Sequence, residues 1–185
     1  MTHIDTSSKL GDLATHIEEL IALVLREHHD VERRELPRLV RLAEKVTRRH
    51  AGDHPELVQL AEHIQNLADE LDSHLDREER VLFPYLLAVV AAARGEAPLP
   101  APSFHSLRNP LRIMSAEHAV EDELLSAIRA IADDYGTPPD ADEPWRNLLE
   151  GLATLDVDLT RHMMLEDSVL FPLALELEQR LGIGG

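Results

Sequence analysis

Two stretches of this sequence carry the same side chains in the same order, DSHLDREERVLFPYLL at 72–87 and TRHMMLEDSVLFPLAL at 160–175. Aligned on VLFP, they place His74 and Glu78 against His162 and Glu166, 88 residues apart. A second pair follows almost the same offset: HDVE at 29–32 and HAVE at 118–121 set His29 and His118 89 residues apart. Imidazole and carboxylate together bind iron, zinc, copper or nickel, and do not suit calcium or magnesium. A His-x-x-x-Glu step on a helix turns both groups to one face, within reach of a common centre. The sequence contains no Cys, which excludes thiolate zinc sites, thiolate-held iron–sulfur clusters, a Cys nucleophile and any disulfide.

These residues need elements to position them. Chain breakers cluster at 48–57 (Gly52, Pro55), 93–110 (rich in Pro) and 134–144 (Gly136, Pro138, Pro139). Between them lie four segments of helical periodicity, about 12–50, 55–94, 110–135 and 143–181. Pro55, Pro110 and Pro144 stand near segment starts, where a missing N–H costs little. Pro37, Pro84 and Pro172 fall inside segments and predict a kink or an end there. Four long helices with three connections predict an all-α fold, an antiparallel up-down four-helix bundle made of a duplicated helical hairpin. We expect a single domain over 1–185, a ligand-bearing bundle over about 12–181, and a Pro-rich connection at 95–109 that packs over one end.

The apolar stripes decide where the polar groups point. On the second helix, Leu57, Leu60, Ile64, Leu67 and Leu71 lead into His74 and Glu78, and then into Leu82. On the fourth, Leu148, Leu152, Leu155 and Leu159 lead into His162 and Glu166. His29 and His118 hold comparable places between Leu25 and Leu36, and between Met114 and Leu125. Four His and two Glu therefore face one interior at similar depth. One inward His is an ordinary core residue, but burying unpaired carboxylates costs several kcal/mol. An internal His–Glu ion-pair network is one resolution and weakens a fold; a metal resolves every group at once. In bundles that hold two metals a Glu can bridge both ions. Two bridging Glu and two His per ion leave coordination positions open, which predicts a di-iron centre that binds small molecules. A structural zinc bundle would use the same ligands, and ferritin-like storage sites differ in using Glu-x-x-His.

The rest of the composition narrows the class. Aromatics are 3% and hydrophobic residues 44%, a helical and soluble profile. The formal charge of −17 repels phosphate backbones and anionic lipid, so no nucleic-acid or membrane partner is expected. No apolar run approaches a membrane span and the N-terminal residues lack a signal h-region, so the expected location is cytoplasmic. No GxSxG, P-loop or GxGxxG occurs.

The motifs HHDVERRELPRLV (28–40), ELDSHLDREERVLFP (70–84), MSAEHAVEDELL (114–125) and DLTRHMMLEDSVLFP (158–172) resemble the haemerythrin-like (HHE cation-binding) superfamily. Within it they are most similar to the di-iron domain of proteins for repair of iron centres. That resemblance implies iron ligands at His29, His74, His118 and His162 and bridging carboxylates at Glu78 and Glu166. It sets Glu70 and Glu117 beside the centre on a polar route. Glu32, Glu121 and Asp122 are further acids near the site, with Asp122 standing where oxygen-carrying members place a His. Asp167 is an alternative to Glu166 at a spacing of five. His28 loses to His29 on repeat spacing, and His50, His54, His63 and His105 are expected at the surface. Met163 and Met164 are expected in packing, and Trp145 at the start of the fourth helix. Members of that family commonly carry a small Cys-containing domain ahead of the bundle.

The implied function is a non-haem protein with two carboxylate-bridged iron ions, oxo- or hydroxo-bridged. It binds or reacts with nitric oxide, oxygen or peroxide in nitrosative or oxidative stress, and serves iron–sulfur cluster repair by donating iron to iron–sulfur proteins. Oxidoreductase-type turnover is open at this point. The alternative is a reversible oxygen or nitric oxide carrier or sensor without turnover.

Overall fold

A computed structural model describes residues 3–100 and 106–183, with side chains from residue 9. His105 and the middle of the 95–109 connection lie outside the described residues. Among the described residues seven α-helices, three of the junctions bridged by a π-helical turn, form four rods. The first rod is α1 (His3–Val24), a π turn (Leu25–His29) and α2 (Asp30–His50). The second is α3 (Glu56–Arg77), a π turn (Glu78–Leu82) and α4 (Phe83–Ala93). The third is α5 (Arg108–Ile131) alone, and the fourth is α6 (Glu143–Leu165), a π turn (Glu166–Leu170) and α7 (Phe171–Arg180). Helix α1 packs on α4 and α7, α2 on α3 and α6, and α5 on α3 and α6. Each rod is thus antiparallel to its neighbours, as in an up-down bundle.

The prolines inside the segments end none of the rods. Pro84 and Pro172 each sit in the first two residues of the helix that follows a π turn. There Phe83 N–H donates to the Glu78 carbonyl and Phe171 N–H to the Glu166 carbonyl, a five-residue step. The widened turn absorbs the residue that cannot donate, so the rod continues. Pro37 lies within α2, which runs through it. Helix α5 stops earlier than periodicity suggests. Asp133, Asp134 and Tyr135 turn into positive φ (48°, 51° and 64°), and the Tyr135 hydroxyl donates to buried Asp156 at 2.7 Å.

The apolar interior is divided in two. One core gathers Leu36, Leu39, Leu67, Leu71, Leu125, Ile128, Leu155 and Leu159 with Trp145. The other gathers Ile17, Val24, Leu82, Phe83, Leu86, Met114, Leu170 and Phe171. Gly151 lets α6 approach α2, since a Cβ there would stand 2.6 Å from Leu39 Cδ2. Asp142 caps α6 by accepting from Trp145 N–H, and Trp145 is buried against His50 and His54. Met163 is buried as expected, whereas Met164 is 60% exposed and packs in neither core. Leu67→Ala is expected to cost about 2–5 kcal/mol by urea denaturation, and Val81→Ala on the exposed face less than about 0.5 kcal/mol.

Candidate metal centre

Between the two apolar cores lies a single polar layer. His29 ends the first π turn, Glu78 and Glu166 open the other two, and His74 and His162 stand one helical turn before those carboxylates. His118 comes from the unbroken α5. All six are at most 3% exposed. Glu32 and Glu121, the last residues of the two H-x-V-E words, are buried in the same layer. Phe83 stacks on the His29 ring and Phe171 on the His118 ring, at centroid separations of 5.6 and 5.9 Å. The duplicated sequence thus produces duplicated packing.

The donor atoms form two groups that share both carboxylates. One donor each from His29, His162, Glu78 and Glu166 lie within 4.8 Å of one another, and so do those of His74, His118, Glu78 and Glu166. Glu78 Oε2 is 3.3 Å from Nε2 of both His29 and His74. Glu166 meets His118 Nε2 at 3.2 Å and His162 Nε2 at 3.5 Å. Every Nε2 therefore points inward. Every Nδ1 points outward onto a carboxylate: His29 to Glu79 at 3.0 Å, His74 to Glu117 at 3.1 Å, His118 to Asp167 at 2.9 Å, and His162 to Glu32 at 2.9 Å. A carboxylate on Nδ1 keeps the proton on that nitrogen and leaves the Nε2 lone pair free to bind a metal.

Hydrogen bonding tests whether a cation fits. Among the described residues neither oxygen of Glu78 or Glu166 has a hydrogen-bond partner, and neither do Nε2 of His74 and His118. Two wholly buried carboxylates without donors are costly unless a positive charge stands between them. The donor set, four imidazole nitrogens and two shared carboxylates with no thiolate, suits first-row transition metals. These groups are able to hold a metal ion.

Protonation responds to the same crowding. Burial pushes the His74 imidazolium down, yet the nearby charge of Glu78, with Glu121 and Glu166, lifts it to about 9. His118 and His162 are likewise raised by Glu166 against the opposing effect of burial. Burial pushes Glu166 up, but His162 and His118 hold it far below the usual carboxylate range. Glu121 is lifted to about 7 by burial, against the pull of His74, His118 and His162.

The structure sorts the remaining sequence candidates. Glu117 bonds His74 and also meets Arg77 at 2.8 Å. Glu32 bonds His162, and Glu121 lies 3.8 Å from His74 Nδ1. Glu70 and Asp122 are exposed, and among the described residues neither makes an ion pair or hydrogen bond to the layer. Asp167 does not replace Glu166 at the centre; it accepts from Ser115 and pairs with His118 Nδ1. Sequence reasoning missed Glu79, although the acid after each His-x-x-x-Glu, Glu79 and Asp167, recurs in both copies of the repeat. It also passed over His28, which stacks on His162 at 5.3 Å.

Comparison with known proteins gives a family match over residues 20–174 to the hemerythrin HHE cation binding domain. Among curated proteins, the iron-sulfur cluster repair protein YtfE of Edwardsiella ictaluri is 36% identical over 159 residues, 86% of this chain and 66% of that protein. The protein of the same name from Cronobacter sakazakii is 35% identical, covering 90% of this chain and 69% of its own length. One from Escherichia coli is 33% identical, covering 86% and 66%. The chain thus spans about two thirds of the length of these relatives.

The metal-free protein has a definite pH signature. A His raised from 6.5 to about 9 contributes stability that is complete below 6.5 and lost as pH rises through 9. Glu121, raised from 4.5 to about 7, contributes stability that is complete below 4.5 and lost as pH rises through 7. The Tm of metal-free protein is therefore expected to fall between pH 6 and pH 9, measured by circular dichroism. A flat or rising profile over that window overturns this picture of an imidazolium–carboxylate network.

Proposed function

This chain belongs to the hemerythrin HHE cation-binding family, and from that premise we propose that it is a non-haem di-iron protein of nitrosative and oxidative stress defence. It binds or reacts with nitric oxide, oxygen or peroxide, and supplies iron to damaged iron–sulfur proteins in the cytoplasm. His29 and His162 would hold one iron, His74 and His118 the other, and Glu78 and Glu166 would serve both. The observation that carries this reading is the sharing of both buried carboxylates between two His pairs. The name of the relatives, iron-sulfur cluster repair protein, supports the repair role.

Bound at these donors, an iron pair supplies a redox-active Lewis-acid centre with positions free for a small ligand. The protein's own residues prepare that centre. Glu79, Glu117, Asp167 and Glu32 fix the four rings through Nδ1 and hold the inward nitrogens as acceptors of metal. Phe83 and Phe171 close the layer on one side. Leu71 and Leu159, one turn before His74 and His162, belong to the core on the other side. With every candidate ligand at most 3% exposed, access favours molecules of two or three atoms. Glu121, buried and lifted to about 7, can hold a proton on its carboxyl close to His74 Nδ1.

Elemental analysis of purified protein is expected to give two irons per chain, with visible bands of a bridged pair that nitric oxide alters. One zinc, or no metal after refolding with iron, overturns the di-iron reading. His74→Ala and Glu78→Ala are each expected to lose most of the iron while far-ultraviolet circular dichroism stays helical. Full retention of two irons by either variant shows the ligand assignment to be wrong. Oxidation of the reduced protein in air within minutes is expected of reactive chemistry; survival for many hours identifies a carrier instead.

A further inference from the structure

On the face between the first and fourth rods, three more donors converge outside the paired centre. One donor atom each from His28, Glu32 and Asp158 lies within 4.8 Å of the others. His28 Nδ1 meets Asp158 Oδ1 at 2.9 Å. Glu32 is wholly buried, bonds His162 Nδ1 through Oε1, and leaves Oε2 without any partner. Asp158 Oδ2 is likewise buried and unpartnered. The side chains of His28 and Asp158 retain 12% and 23% exposure, and Asp158 lines two surface depressions. The cluster is therefore reachable from solvent at one end and buried at the other.

The internal repeat shows what is missing here. The positions that correspond to His28, Glu32 and Asp158 in the other half are Glu117, Glu121 and Glu70. There a cation is built into the chain: Arg77 meets Glu117 at 2.8 Å. The counterpart of Arg77 is Leu165, which has no charge to offer. Among the described residues no lysine or arginine pairs with Glu32 or Asp158, while the nearby Arg34 and Arg38 are both taken by Glu35. Two carboxylates a few ångströms apart, one wholly and one partly buried, with free oxygens and one imidazole, are a donor set that attracts a divalent ion.

We propose that His28, Glu32 and Asp158 form a third cation site, separate from the paired centre, that takes a divalent first-row transition metal ion. One imidazole and two carboxylates leave at least one position for water, so the ion is held less tightly than one between four nitrogens and two shared carboxylates. Glu32 joins the outer site to the inner one, because its second oxygen holds the ring of His162. An ion resting at the outer site is one carboxylate away from the paired centre, a position suited to metal entering or leaving it.

The test is titration of the purified full chain with manganese(II), reading free manganese by electron paramagnetic resonance and iron by elemental analysis of the same samples. One manganese beyond the metal of the pair is expected in the unaltered protein. Asp158→Asn and His28→Gln are each expected to weaken it at least tenfold without changing the iron content. Glu70→Gln, the repeat-equivalent change on the other face, is expected to leave it unchanged. Where the pair itself takes manganese, the count is the difference between the unaltered protein and Asp158→Asn. No manganese beyond the pair, or an equal loss in Glu70→Gln, overturns the proposal, the second by showing diffuse attraction to an acidic surface. Loss of the iron in both Asp158→Asn and His28→Gln also overturns it, since the cluster would then only buttress His162. Absence of iron with a manganese ion still lost in Asp158→Asn leaves the outer site standing and rejects the di-iron reading.

Discussion

Two carboxylates, Glu78 and Glu166, lie wholly buried between two apolar cores, and among the described residues no hydrogen-bond donor reaches any of their four oxygens. The rest of the structure answers that constraint. An unpaired buried carboxylate costs several kcal/mol after relaxation, so positive charge has to be brought to it. Among the described residues, the four imidazoles are the groups in contact that can supply it. With no metal His74, His118 and His162 are drawn toward the charged form, and His74 is lifted to about 9 although burial alone would lower it. A metal ion supplies the same charge while the imidazoles stay neutral. Proton and metal therefore compete for the same nitrogens, and metal binding releases protons.

Placing eight polar side chains in one layer has a consequence for the backbone. Three of the four rods carry a π turn at that level, and Glu78 and Glu166 are the first residues of two of them. Prolines that would otherwise interrupt the rods follow immediately. The widened turn and the proline belong together: the one loosens the hydrogen-bond ladder, the other has no N–H to lose. The splitting of the core follows too. Neither apolar half spans the molecule, so burial of leucine on each side of the layer offsets the cost of the layer itself.

The two halves of the chain repeat the inner arrangement and diverge around it. Each His on the first or third rod keeps an acid from the neighbouring rod on its Nδ1, Glu79 in one half and Asp167 in the other. Farther out, Arg77 neutralises Glu117 on one face, while Leu165 stands in the matching place on the other. A duplicated hairpin thus yields a nearly symmetric interior with an asymmetric approach to it. The fold class, the family and the meeting of the six inward residues were legible because all depend on periodicity and repeat spacing. Leu67, Leu71, His74 and Glu78 follow one stripe, and that stripe has to face the core wherever the helix packs. Which of the further acids reach the layer was not legible, because acidity and nearness in sequence do not fix a side chain's rotation about its helix.

By itself the sequence determined four helical segments, their antiparallel order, and the depth at which four imidazoles and two carboxylates enter the interior. Hydrophobic periodicity is a local property and survives translation into any bundle. Only the tertiary structure decided which acid holds which ring, that π turns carry the prolines, and that His28, Glu32 and Asp158 converge. Those outcomes depend on the relative rotation and register of two rods more than 100 residues apart in the chain, as with the pairs His28–Asp158 and Glu32–His162, each 130 residues apart. A shift of one residue in either rod turns its contacts by about a quarter of a turn, and packing of the two apolar cores, not any motif, sets that register.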